Sequence, residues 1–418
     1  PLYIIASEHR LYLSMAAVAL LGAHLWRQPR SVSPTMIPAL LLISLVTLTS
    51  QRNEIWQDEL TLWSDAARIA PQAPRVWAGV GEAHHRLGHL DSAAVAYRRA
   101  LELRPEDEVS WCNMAVLQKE MGELVLAEAS FRRALELRPE WPQAQANLGR
   151  LLLRAGRVHE AATLLGRAAA RSPSLAVLLD LGVAAAQDGR KEVAVEAFSA
   201  ALRLQPEHAE SMLNLAAVRL EQALATEVAG ERASLLQQAL QLSQKAVEIS
   251  VPGATRVQAQ LNLAAVLTGL GRQVEARQLY EALLRSETES AAAHEGYGRL
   301  LLQAGDPRAA EMLRRALELG SGTTRLWLDL GAAEAARGRF TTAAEAFAAA
   351  ADMAPQDPVP RYNLGEVLFK RWQQAPPTGA TRAQLQQEAS AAYGAVEVLQ
   401  ADYRNVRQRL QQLAAATP

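Results

Sequence analysis

Proline recurs along this sequence at a nearly constant interval. The series consists of Pro71, Pro105, Pro139, Pro173, Pro206 and Pro355, and its first four members are each 34 residues apart. A series of glycines runs in step with it: Gly88, Gly122, Gly156, Gly189, Gly271, Gly305 and Gly338. Since glycine accepts the left-handed backbone that ends a helix and proline stops the next one, each period predicts a helix, a turn and a second helix. Such repeats stack to share a core, which favours one long array over several globular domains.

Side chains of fixed size recur inside this frame. The first helix carries a large residue and, four positions later, a small one, as in Trp77-x-x-Val80-Gly81. The second helix carries small, aromatic and small residues in turn, as in Ala93-x-x-x-Tyr97-x-x-Ala100. These spacings place each set on one helical face. The sequence therefore resembles the tetratricopeptide repeat family, and the resemblance implies an all-α solenoid, a right-handed superhelix of helix-turn-helix repeats.

The predicted array covers residues 53–404 and holds about nine repeats after an incomplete one at 53–71. The repeats start near Pro74, Glu108, Gln143, Leu175, Ala209, Arg256, Ala291, Thr324 and Val359. The fifth and ninth repeats carry extra residues around 223–234 and 372–386, which we expect in loops on one edge of the array. Residues 405–418 predict a C-terminal capping helix with a polar outer face.

The first 51 residues differ from the rest because they contain two long uncharged runs, Leu11 to Trp26 and Ser31 to Gln51. A helix rises about 1.5 Å per residue, so each run approaches the ~30 Å that a transmembrane helix must span. The sequence predicts two short transmembrane helices, at about 11–26 and 34–50. A buried helical hairpin of a soluble domain is the alternative, because runs of this length occur in both settings.

The charges beside these runs predict an orientation. The loop between them carries Arg27 and Arg30 and no acidic residue. Because short, positively charged loops stay in the cytoplasm, we expect the array on the other side of the membrane, in a bacterial periplasm or a eukaryotic lumen.

One polar position recurs on the predicted first helices, two residues before the small one. Seven of the nine repeats have Asn or Asp there, namely Asn113, Asn147, Asp180, Asn214, Asn262, Asp329 and Asn363, while Gly79 and Gly296 are the exceptions. Helix interiors disfavour Asn and Asp because their side chains compete for backbone hydrogen bonds. An amide offers donors and an acceptor that match an extended peptide backbone.

In the tetratricopeptide repeat family this position faces the concave groove. The pattern resembles the asparagine ladder of the O-linked N-acetylglucosamine transferases, and it favours a scaffold that binds proteins or extended peptides in its groove. The alternative interpretation is structural, because Asn and Asp also cap helices or bridge neighbouring ones.

A second resemblance concerns the segment before the repeats. It is carried by Ser7-Glu8-His9-Arg10-Leu11-Tyr12-Leu13, the two hydrophobic runs, and Trp56-x-Asp58-Glu59-Leu60-x-Leu62-Trp63. These motifs resemble the junction in the transmembrane and tetratricopeptide repeat proteins, whose animal members are protein O-mannosyltransferases. The resemblance implies an alternative function as the acceptor-binding C-terminal part of a glycosyltransferase that uses a lipid-linked sugar. The acidic catalytic residues of that family have no counterpart in this chain.

Composition and short motifs argue against several other classes of function. The chain has 43 basic and 44 acidic residues, a net charge of −1, which gives no basic footprint for nucleic acid. Its single cysteine, Cys112, cannot form an intrachain disulfide and is expected to be a packed thiol. No phosphate-binding loop, His-Glu-x-x-His motif or nucleophile elbow is present, so the sequence predicts no cofactor and no catalytic site. His84, His85 and His89 are expected to be solvated turn histidines rather than metal ligands.

Overall fold

The structure, a computed structural model, describes residues 58–376 and 379–415 together with positions 44 and 47. These residues form twenty named helices and no strand, which confirms the predicted all-α class. Apart from positions 44 and 47, the two predicted transmembrane helices lie outside the described residues. Among the described residues, no helix combines the length and the apolar character needed to cross a membrane.

The chain divides into two compact units, 1–172 and 173–418. The helices of the first unit are α1 (Glu59–Ile69), α2 (Pro74–Arg86), α3 (Leu90–Leu103), α4 (Glu108–Glu120), α5 (Leu124–Leu137), α6 (Pro142–Arg154) and α7 (Val158–Arg171). After α1, which precedes the first pair, consecutive helices pack as antiparallel pairs: α2 with α3, α4 with α5, and α6 with α7.

The second unit continues the same arrangement. Its helices are α8 (Leu175–Gln187), α9 (Lys191–Leu204), α10 (Ala209–Ala225), α11 (Ala229–Ile249), α12 (Ala254–Gly269), α13 (Gln273–Ser286), α14 (Ala291–Gln303), α15 (Ala309–Glu318), α16 (Thr324–Ala336), α17 (Phe340–Met353), α18 (Pro358–Gln374), α19 (Ala380–Leu399) and α20 (Val406–Ala415). Six helix pairs run from α8 to α19, and the final helix α20 packs against α19.

The turn inside each pair forms as the glycine series predicts. Between α4 and α5, Gly122 has φ 81°, a backbone conformation that residues with a Cβ rarely adopt. The amide of Glu123 then donates to the carbonyl of Gln118 at 2.8 Å, which satisfies a carbonyl that the end of α4 leaves open. The chain reverses within three residues, and the second helix of the repeat is brought back onto the first.

Close packing within a pair depends on the small residue of the first helix. A Cβ added at Gly182 of α8 would lie 2.4 Å from the ring of Phe198 on α9. At Gly331 of α16 the same atom would lie 2.6 Å from Phe347 on α17. Both rings are buried, so the aromatic residue of the second helix fills the space that the small residue leaves.

The first helix is also tied to the proline turn before it, which the sequence did not predict. The indole Nε1 of Trp77 donates to the carbonyl of Pro71 at 2.8 Å, and Trp111 makes the same bond to Pro105. In the next repeat Gln145 replaces tryptophan and keeps the bond, with its Nε2 2.7 Å from the carbonyl of Pro139. The large residue at this position therefore anchors the turn as well as filling the core.

The two longer repeats depart from the prediction of inserted loops. The extra residues of the fifth repeat lengthen both of its helices, to 17 residues in α10 and 21 in α11. Ala223 of this extension is buried together with Leu235 and Leu236, which directly follow the extension, and Leu270 packs against them. The ninth repeat likewise has helices of 17 and 20 residues, α18 and α19. The prediction was wrong for most of the inserted residues, which are helical, and it applies only to short connections such as 226–228. In the ninth repeat Trp372 and Leu385 of the insert are buried, which favours helix over an exposed loop.

Candidate functional site

All seven predicted binding residues lie on first helices, at the same position of each repeat. In the second unit the first helices α8, α10, α12, α14 and α16 contact one another in sequence, so this position follows one side of the stack. In the first unit α2 contacts α4. We refer to the side of each unit formed by its first helices as its first-helix face.

Four of the seven residues have no hydrogen-bond partner among the described residues: Asn113, Asn147, Asn214 and Asn363. Their side chains are half-buried, and each lies well inside its helix rather than at an end. An asparagine inside a helix costs several tenths of a kcal/mol relative to alanine. Within the described structure no hydrogen bond offsets that cost at these four positions.

Asn262 has a different environment. Its Nδ2 donates to the carbonyl of Leu213 at 3.2 Å, and its Oδ1 accepts from Gln258 Nε2 at 3.1 Å. Leu213 is on α10 and Asn262 is on α12, so this side chain bridges the first helices of two neighbouring repeats. The structural interpretation of the Asn series therefore holds at this position.

Asp329 is buried, with 8% of its surface exposed, and is held by two guanidinium groups. Arg299 Nε on α14 lies 2.8 Å from Oδ2, and Arg325 Nε lies 3.3 Å from Oδ1. A buried carboxylate needs such partners because desolvation disfavours its charged form. Asp180 on α8 is also engaged by the protein itself. Three of the seven predicted residues therefore have structural partners.

The two glycine exceptions have a steric cause. A Cβ at Gly79 would lie 2.3 Å from the indole of Trp63 on α1, and a Cβ at Gly296 would lie 2.5 Å from the hydroxyl of Tyr280 on α13. In both repeats an aromatic ring from the preceding helix occupies the space beside the first helix. A side chain at either position would displace that ring.

A charged cluster lies at the ninth repeat, around Glu366. Glu366 on α18 accepts hydrogen bonds from Tyr393 on α19 at 2.7 Å and from Arg409 Nε on α20 at 2.8 Å. Burial alone would raise the pKa of the Glu366 carboxyl, but the bonds from Arg409 and Tyr393 outweigh it and hold the pKa below its usual range. The guanidinium of Arg409 also lies 4.4 Å from the ring centroid of Phe369. These contacts hold the last helix on the ninth repeat.

The structure places the three histidines and the cysteine that the sequence singles out. His84 Nδ1 and His89 Nδ1 lie 3.5 Å apart, and His85 Nε2 lies 2.7 Å from Glu120 Oε2. Among the described residues no group of three or more His, Cys, Asp or Glu side chains is placed to hold a metal ion. Burial raises the pKa of the Cys112 thiol to about 11, so the thiolate form is disfavoured.

Family models agree with this architecture. A tetratricopeptide repeat model matches residues 74–117, and a second one matches residues 112–176, 179–250 and 298–358. Together the matches cover more than half of the chain. The chain belongs to the tetratricopeptide repeat family. No curated protein matches it significantly.

Solved structures share the fold of this tetratricopeptide repeat protein. One from Parabacteroides merdae is 20% identical, covers 62% of this chain and 98% of its own, and has a TM-score of 0.53. The Cut9–Hcn1 hetero-tetramer of the APC/C is 12% identical over 97% of this chain and 88% of its own, with a TM-score of 0.50. YrrB, a tetratricopeptide repeat protein with an unusual peptide-binding site, is 18% identical. It covers 47% of this chain and 97% of its own, with a TM-score of 0.42. At these identities the likeness concerns the fold alone.

Proposed function

We propose that this protein is a scaffold whose first-helix faces bind protein segments in extended form. The observation that carries the proposal is the set of four half-buried asparagines without a partner among the described residues, Asn113, Asn147, Asn214 and Asn363. Each amide offers two donors and an acceptor, which complement the carbonyl and amide groups of an extended peptide. Bonds of that kind contact the backbone of the bound segment and depend little on its side chains.

The charges on the same faces support recognition through amides. Arg86 on α2 is paired with Glu59 and lies 3.8 Å from Glu82, while Arg299 is paired with Asp329 and Glu295. Paired charges present little net field to a ligand. Around Arg86 and Arg299 the charges are therefore matched, whereas the asparagines offer neutral donors and acceptors.

The proposal is tested by replacing Asn113, Asn147, Asn214 and Asn363 together with alanine. Alanine is the better helix former, so the variant should unfold at the same or a higher urea concentration. Binding to a library of unstructured peptides should fall by roughly tenfold or more, the loss of one or two net hydrogen bonds. A matched control replaces Gln244 and Gln278, exposed residues of α11 and α13, with alanine.

The same peptides with N-methylated backbones give a second readout. Methylation removes the backbone donors while keeping the side chains, so binding to the unmodified protein should weaken. Retained binding by the alanine variant, or equal binding of methylated and unmethylated peptides, contradicts backbone recognition.

We further propose that the array is tethered to a membrane through residues 11–26 and 34–50 and lies on the extracytoplasmic side. The support is the two uncharged runs and the Arg27 and Arg30 loop between them. Protease added outside spheroplasts should digest the array. Complete protection, with digestion after lysis, would overturn this orientation.

The alternative function, the acceptor-binding part of a protein O-glycosyltransferase that uses a lipid-linked sugar, rests on the motifs at Ser7–Leu13 and Trp56–Trp63. It predicts that membranes containing the full parent protein transfer sugar to a protein acceptor. The four-alanine variant should then lower transfer by weakening acceptor binding, seen as a raised KM for the acceptor. If these membranes transfer no sugar, the glycosyltransferase alternative is wrong and the scaffold proposal stands by itself.

A further inference from the structure

A surface groove lies on the second unit, and none of the asparagine positions is among its lining residues. It has a volume of about 550 Å³ and is bounded by α17, α18 and α19. Leu364 and Leu368 of α18 form its floor. The walls are mostly alanine: Ala348 and Ala351 from α17, and Ala391 and Ala395 from α19. The groove is therefore apolar along its length.

The α17 wall of the groove has small residues where five of the other second helices have a leucine. Five second helices carry leucine four residues after the large core residue that corresponds to Phe347: Leu101, Leu135, Leu202, Leu284 and Leu317. In α17 this position is Ala351. The residue directly after the core aromatic is Arg98 in α3 and Arg132 in α5, but Ala348 in α17. The two small side chains on this wall leave space above Leu364, which is half-buried, while Leu368 beside it is buried.

The rim of the groove is charged, with three carboxylates and two arginines. Glu345 and Asp352 lie on the α17 wall and have no ion-pair or hydrogen-bond partner among the described side chains. Glu388 on the α19 wall accepts a bond only from the neutral amide of Gln384. Of the two arginines that line the groove, Arg361 is bonded to the carbonyl of Pro355. The three carboxylates thus have no ion-pair partner among the described side chains, and they exceed the two arginines of the lining, Arg361 and Arg371, by one negative charge.

The helices that line the groove limit the backbone conformation of a protein segment bound there. All three lining elements are helices, so their backbone amides and carbonyls are bonded within the helices. An extended segment lying in the groove would bury backbone groups against alanine methyls, with nothing to bond them. A helix satisfies its own backbone groups and presents only side chains.

The dimensions fit a short helix. Arg361 and Arg371 mark the ends of the lining surface of α18, and ten helical residues span about 15 Å. Val398, which is 87% exposed, continues the stripe of Ala391 and Ala395 along α19 beyond the groove. An apolar side chain this exposed extends the contact surface for a helix longer than the groove itself.

We propose that this groove docks an amphipathic α-helix of a partner protein, one with an apolar face flanked by lysine or arginine. The apolar face packs on Leu364 and on Ala348, Ala391 and Ala395 of the walls. The basic flanks pair with Glu345, Asp352 and Glu388. The surface and the bound segment differ from those proposed for the asparagine positions. An experiment can therefore contradict one proposal and leave the other intact.

The test uses a stapled helical peptide of about four turns, with leucine along one face and lysine on both flanks. Ala351→Leu restores the residue that five other second helices carry, so it fills the groove without disturbing the repeat. The affinity for this peptide, measured by fluorescence anisotropy, should weaken roughly tenfold or more in this variant. The matched control, Ala282→Leu, adds the same side chain at an exposed position of α13 and should bind like the unmodified protein.

Two changes to the peptide test the remaining parts of the proposal. Replacing its lysines by glutamates should abolish binding, and the double variant Glu345→Lys, Asp352→Lys should restore binding of that acidic peptide. The four-asparagine variant should bind the basic peptide normally.

Several outcomes overturn the proposal. They are no binding of the stapled peptide up to roughly 1 mM, unchanged binding in a folded Ala351→Leu protein, or equal binding of a proline-interrupted peptide of the same composition. A concentration-dependent dimer in sedimentation that Ala351→Leu abolishes would assign the groove to a second copy of the chain instead.

Discussion

The first helices of the third and eighth repeats carry an acidic or amide residue at the same position, yet the two residues have opposite environments. Asn147 on α6 is half-buried and has no hydrogen-bond partner among the described residues. Asp329 on α16 is buried and bonded by Arg299 and Arg325. The position is the same, but one side chain is open to a ligand and the other is part of the protein's own structure.

The difference arises from the repeat that precedes each helix. Arg299 lies three residues beyond the Asn/Asp position of the seventh repeat, and its counterpart in the second repeat is Val116. Valine offers no hydrogen bond, so Asn147 keeps its donors and acceptor free, whereas arginine pairs with the carboxylate. A single polar pattern thus serves two purposes, and at these two positions the side chain from the preceding repeat contributes to the difference.

The largest effect expected from this comparison follows removal of Arg299. Arg299→Met leaves the buried carboxylate of Asp329 with Arg325 alone, and an incompletely satisfied buried group costs about 2 kcal/mol. Urea unfolding followed by circular dichroism measures the loss. An unchanged midpoint would show that solvent or Arg325 replaces the lost bond.

A smaller loss is expected at Asn262. Asn262→Ala removes the bond to the Leu213 carbonyl, worth about 1 kcal/mol, and gains part of that back from the higher helix propensity of alanine. The same unfolding measurement should show a net loss of stability. A net gain would place Asn262 with the open asparagines and weaken the distinction between the two groups.

The open asparagines should respond in the opposite direction. Asn147→Ala and Asn214→Ala each remove a residue that helices disfavour and break no hydrogen bond among the described residues. Each variant should gain up to about 0.5 kcal/mol. Destabilisation in either variant would mean that the asparagine has a structural role and would count against peptide binding there.

The smallest effect concerns pH, at the ninth repeat. The folded protein holds the pKa of Glu366 below that of the unfolded chain, so the unfolded state binds the proton more tightly. The stability from this carboxylate is present above the ordinary glutamate pKa of about 4.3 and is lost as pH falls below it. Glu366→Gln should flatten that part of the stability profile, while Asn147→Ala should keep the slope of the unmodified protein.

The repeat pattern allowed much of the fold to be predicted. The proline and glycine series indicated the nine helix pairs, because helix termination and tight packing depend on residues whose backbone and size are readable locally. It did not predict that the extra residues at 223–234 would lengthen α10 and α11, since the lengthened pair packs through Ala223, Leu235 and Leu236 on Leu270 of the following repeat. Nor did it predict the bonds from Trp77 and Trp111 to the turn carbonyls, which depend on how the chain reverses.

The sequence by itself determined the helical repeat and the position at which polar residues recur, because both follow from spacing along one chain. Only the tertiary structure decided which of those residues are open, as at Asn147, and which are bonded, as at Asp329. It also decided that Ala348 and Ala351 border a groove with a charged rim. The physical reason is that availability to a ligand depends on the residues that neighbouring repeats bring within hydrogen-bonding or van der Waals distance. Those neighbours are about 30 residues away in sequence, and the periodic pattern specifies their size more strictly than their charge.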